Sequence, residues 1–219
     1  MAKSFFTVST KEEDVKASSS AHINHSGMYE VTILAAIVNV STNGSTSIDF
    51  YVDNQGQKQV IYGNLRITNN DGSPNKIGSK LFNQLLVVAG LEEVSEPVEM
   101  ELPIGKKEAP KTVAVLEDLM DIDVIMRVQM SYSVWNGNIQ ERRNIRSFFR
   151  DDKASAEEVL SGEGIGKGYE RDEKYANNVT YENDLNAEAI AAWIAGGREG
   201  TVTAKKAPSF GGKRRFGKE

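Results

Sequence analysis

The chain has 219 residues, a formal net charge of −5, two histidines and no cysteine. These figures exclude a disulfide framework, a thiol nucleophile and cysteine-ligated zinc or iron–sulfur centres, and they leave room for one generous domain or two small ones. No apolar run approaches the roughly 20 residues that cross a bilayer, and Met1 to Phe6 is followed by Lys11-Glu12-Glu13-Asp14 rather than by a secretory core, so a cytoplasmic protein without a membrane anchor is expected.

Residues 1–27 are polar and serine-rich and read as an arm that is weakly ordered or docks late. Met28 to Val40 is a β-branched run, apolar on both faces, which predicts a long, bent central strand. Asn43-Gly44 supplies a turn. Ile48, Phe50 and Val52 then alternate with Ser47, Asp49 and Tyr51, and after the 53–56 turn Ile61, Leu65 and Ile67 alternate with Tyr62, Asn64 and Arg66. Ser73 as N-cap and Pro74 as first residue open a helix with Ile77, Leu81, Leu85 and Val88 on one face, stopped by Gly90. The stretch 92–110 is acidic and rich in Pro and Gly, an irregular connection with room for a short edge strand over 98–102. Val124 to Val134 alternate with Ile125 to Trp135, Asn136-Gly137 marks a tight hairpin, and Ile139 to Phe149 returns.

The resulting order, β-β-β-α-β-β over residues 28–150, is that of a five-stranded OB-fold-like barrel and makes the chain mainly β. Residues 151–200 form a helical extension: Ser155 to Glu158 has capping-box spacing for a helix ended by Gly162, and Asn183 or Asp184 caps another running through Trp193 to Gly196. Residues 201–219 form a basic tail too poor in apolar surface to order itself.

No catalytic constellation emerges. His22 and His25 lack a third ligand or a nucleophile to serve. The glycine run from Gly162 to Gly168 lacks the hydroxyl and the spacing of a phosphate loop, and reads as a hinge. Asp118, Asp121 and Asp123, with Glu117, suit a solvated surface or helix end better than a magnesium site. No cofactor and no metal are expected. A binding surface is the stronger reading: the alternation turns Tyr51, Tyr62, Arg66, Arg127 and Trp135 outward, joined by Arg142, Arg146 and Phe148 on the last strand. Flat rings stack on unpaired bases while guanidinium groups follow the phosphates, and stacking does not choose a sequence. Lys205, Lys206, Lys213, Arg214 and Arg215 add a second phosphate or partner contact from the tail. A module for protein contacts or virion assembly is the alternative, with the tail and the Trp193 helix docking on partners.

The chain resembles the bacteriophage single-stranded DNA-binding proteins of the OB-fold type. The resemblance lies in Gly27-Met-Tyr29-Glu-Val-Thr-Ile, the strand end from Leu65 to Gly72, the helix Lys80-Leu-Phe-Asn-Gln-Leu-Leu, the segment from Leu116 to Leu119, the end at Arg146-Ser-Phe148-Phe149 and the helix at Ser155. It spans roughly residues 27 to 165 as diffuse patterns. It implies multimeric coating of DNA strands in a bacterial cytoplasm and contacts with replication or recombination enzymes. Many such proteins end in an acidic tail, whereas this one ends in a basic stretch.

Overall fold

The structure, a computed structural model, describes residues 21–198; the tail cations and most of the expected arm lie outside them. Its centre is one curled, half-barrel sheet of eight strands. Strand β1 (Gly27–Val40) is the spine of this sheet. One edge of β1 pairs with β2 (Thr46–Asn54), which pairs in turn with β3 (Gln57–Arg66). The other edge is shared: residues 27–33 pair with β6 (Ile122–Trp135) and residues 36–38 with β5 (Lys111–Leu116). A bulge at Leu34 makes this division possible. The extra residue reverses which side chains face inward, so Val31 and Ile33 before it and Ala36 after it all enter the main core. That reversal explains why the run looks apolar on both faces.

The short edge strand expected over 98–102 forms, and the strand that follows the connection pairs with it. Here β4 (Val98–Leu102) pairs with β5 as a hairpin appended to the sheet, so the described chain has three more strands than the five-strand expectation, counting the short β8 (Thr180–Tyr181). Pro103 and Gly105 fall in the loop and Pro110 just before β5, which is why the composition hides the pair. Leu102, Val113 and Val115 form a second core with Ala35, Ile37 and Tyr51 on the face opposite the main one.

Helix α1 (Lys76–Val88) starts two residues later than expected, because Asn75 rather than Ser73 caps it by accepting the Gly78 N–H. The shift leaves Ile77 81% exposed while Leu81, Leu85 and Val88 pack on β3 and β7 (Asn138–Phe149). Gly78 permits the close approach: a Cβ there would lie 1.8 Å from the Arg66 carbonyl oxygen.

Strands β3 and β7 face each other across the open side of the half-barrel, and part of the expected arm fills the seam between them. Ile23 is fully buried; its N–H donates to Gln59 Oε1 at 3.0 Å and its carbonyl accepts from Arg143 Nε at 2.6 Å. Ser26 Oγ accepts the Met130 N–H at 2.9 Å.

The helical extension contains α2 (Ala156–Ser161), α3 (Lys167–Glu173) and α4 (Ala187–Ala195), and β8 runs parallel to β6. The glycine run expected as a hinge is folded tightly around Glu158. That carboxylate accepts from the backbone N–H groups of Ser155, Gly166 and Gly168. Burial pushes the Glu158 carboxyl up, but these donors outweigh it and hold the group below its ordinary value. Its contribution to folding is therefore complete above the ordinary carboxylate range and is lost as pH falls through the lowered value. Glu158→Gln should cost about 1.5–3 kcal/mol at neutral pH and flatten the acid limb of a urea-midpoint series measured against pH. An acid limb identical to wild type would remove this role from Glu158. Among the described residues, no helix is long and apolar enough to cross a membrane.

Candidate nucleic-acid interface

The expected binding residues separate into a cleft, an open hairpin face and the interior. Tyr62 lies where β3 bulges: positions 62–64 stand opposite Asp49 alone, and the irregularity leaves the Tyr62 ring 62% exposed. Beside it is a cleft of about 360 Å³. One wall carries Tyr51, Lys58, Val60 and Tyr62 from β2 and β3; the other carries Pro103, Ile104, Gly105 and Glu108 from the β4–β5 loop. His22 and Arg143 also line it, brought there by the docked arm and by β7.

Tyr51 belongs to this cleft but not as a free stacking platform. It does point away from the main core, as the alternation requires, yet it is only 7% exposed because the β4–β5 hairpin covers that face. Burial pushes its hydroxyl above the ordinary tyrosine value, and the carboxylates of Glu108 and Asp53 push it further in the same direction. Lys58, His22 and Arg143 are cleft residues that the sequence reading missed. The available signal was Arg143 itself, a cation at an inward position of a strand, which requires a polar partner.

The outward face of the β6–β7 hairpin is polar. Trp135, at the tip, is 69% exposed, and Arg142 and Arg146 are exposed along β7. Arg146 Nε donates to Gln129 Oε1 at 2.6 Å, and Asn144 donates to Ser131 Oγ at 2.7 Å, so the face is held by side-chain pairs across the two strands. Arg66 is exposed at the end of β3, next to α1.

Two further expected members leave the surface. Phe148 is 1% exposed and packs edge-on against Phe50, with ring centroids 5.7 Å apart. The cause is a bulge at Arg146, which breaks the alternation and turns Phe148 to the core side shared with Ile145. Arg127 does face outward, but α3 covers it: its guanidinium pairs with Asp172 at 3.3 Å and donates to the Tyr175 carbonyl at 3.2 Å. It anchors the helical extension.

Another depression, about 510 Å³, carries Glu30, Asp53, Asp123 and Asp151. Four carboxylates repel a phosphate chain, so the electrostatics favour the cleft. Asp123 accepts the Thr32 hydroxyl at 2.5 Å and Asp118 accepts the Ser95 N–H at 2.5 Å. The Ser95 hydrogen bond holds the Asp118 carboxyl below its ordinary value. Among the described residues, no group of three or more His, Asp or Glu side chains is placed to hold a metal ion.

No protein-family model matches the chain, and no curated protein matches it.

Proposed function

We propose that this protein binds single-stranded DNA without strong sequence preference and without chemical turnover. The observation that carries the proposal is the cleft lined by an exposed tyrosine, Tyr62, together with Lys58 and Arg143. A ring on the rim stacks an unpaired base while cations balance the adjoining phosphates. Trp135, Arg142 and Arg146 supply a second platform on the hairpin. We further read the core as an OB-type barrel in which β1, β2, β3, α1, β6 and β7 are the six elements and the β4–β5 hairpin is an insertion. The long β1 divided between neighbours, and α1 packed between β3 and β7, support that reading. A role in replication or recombination of phage DNA, with enzymes of those processes as partners, rests on the family resemblance over residues 27–165.

The test is a titration of labelled single- and double-stranded oligonucleotides at several salt concentrations. Single strands should bind more tightly, with affinity falling as salt rises. Tyr62→Ala should weaken binding by about 1–3 kcal/mol, roughly 5- to 150-fold, with thermal stability unchanged. Equal affinity for duplex, or no binding at low salt, would reject the proposal.

One observation favours the alternative of a protein-contact module. Helix α4 carries a single charged residue, Glu188, yet Ala191, Ala192, Ile194 and Ala195 are exposed. A helix apolar on nearly all sides is usually covered. A pull-down after nuclease treatment separates the readings, since a partner kept without nucleic acid and lost on Ile194→Glu would favour the alternative.

A further inference from the structure

We infer that the tyrosine cleft receives the edge of one unpaired base against Glu108, so that at this position the protein favours bases bearing an exocyclic amine over thymine. The inference rests on the nucleic-acid reading above and departs from it by adding a base preference.

Among the described residues, Glu108 is the single acid that lines the cleft. A carboxylate beside a phosphate is repulsive, so a bound strand places its backbone toward Lys58, with Arg143, which also pairs with Glu141 at 3.6 Å, behind it, and its base toward the loop. The polarity of the cleft therefore orients the nucleotide.

The loop that carries Glu108 is a tight turn. Gly105 N–H donates to the Ala109 carbonyl at 2.9 Å and Glu108 N–H donates to the Gly105 carbonyl at 2.9 Å, closing a tight turn. A Cβ at Gly105 would lie 2.7 Å from the Ala109 oxygen, so the turn depends on glycine there. Lys107 and Glu108 themselves adopt left-handed backbone, with φ of 57° and 59°. Each such non-glycine residue costs about 1–2 kcal/mol. Strain of this kind persists where the surroundings over-determine the backbone, and it concentrates at ligand-holding sites. Its product here is an exposed carboxylate that lines the cleft with Tyr51 and Tyr62.

An ionised carboxylate only accepts hydrogen bonds. Guanine offers its ring N–H and amine together, and cytosine and adenine offer one amine each. Thymine flanks its single N–H with two carbonyl oxygens that oppose the carboxylate. Unpaired bases are read on this edge. One charge-assisted contact should separate cytosine from thymine by about 3- to 10-fold.

The experiment measures the affinity of the full chain for oligocytidine and oligothymidine DNA of equal length, for wild type and Glu108→Gln. Glutamine keeps the size but adds a donor that suits the thymine carbonyls. The expected result is a cytosine-to-thymine affinity ratio that falls about 3- to 10-fold in Glu108→Gln, with thermal stability unchanged. Tight binding of both oligonucleotides with the same ratio in the two proteins would overturn this inference and leave the DNA-binding reading standing. Failure of wild type to bind either would overturn both.

Discussion

Phe148→Ala should lower folding stability by about 3–5 kcal/mol, the cost of removing a fully buried aromatic side chain and leaving a cavity. Phe148 meets Phe50 edge-to-face in the main core, beside Val128 and Ile145. A urea titration should show an earlier midpoint with little change in slope. DNA affinity, corrected for the folded fraction, should remain near that of wild type. The pattern for Tyr62→Ala is the reverse, and the pair of variants separates ring burial from ring function. Full stability in Phe148→Ala, with weakened binding, would return that ring to the surface and contradict the bulge at Arg146.

Ile23→Ala should be nearly as costly in stability, at about 2–5 kcal/mol, and should also weaken binding in the molecules that remain folded. The side chain is buried in the seam between β3 and β7, and its backbone holds Gln59 on one side and Arg143 on the other. Loosening this segment releases the anchor of Arg143 and the backbone position of its neighbour His22, both of which line the cleft. Thermal unfolding and oligonucleotide titration of the same preparation measure the two effects. Unchanged thermal stability would show that the segment rests on the barrel without sealing it.

The parts of the fold that were legible in the sequence are those where alternation runs unbroken. Ile48, Phe50 and Val52 enter the core as expected, and the Asn136-Gly137 turn places Trp135 at an exposed tip. Alternation fails where one residue is added. The extra residues at Leu34 and Arg146 each reverse the faces beyond them, and no residue type at either position announces a bulge. Tyr51 illustrates a different loss. Its direction was read correctly, but its burial depends on the β4–β5 hairpin, which joins the sheet only through the remote pairing of β5 with β1 and whose flanks are rich in proline. Arg127 is likewise outward and then covered by α3. The cleft itself brings together positions 22, 58, 62, 108 and 143, and no local pattern could have joined them.

The hairpin tip has a further consequence for how the chain is made. Met130, Tyr132 and Ile139 are buried by Leu185, Ile190 and Trp193, and the Val134 N–H finds its partner in Asn183, 49 positions later. A ribosome therefore releases this finger several seconds before its cover, at ordinary elongation rates of about 5–20 residues per second. During that interval Met130, Tyr132 and Ile139 stand without the apolar cover that Leu185, Ile190 and Trp193 later supply.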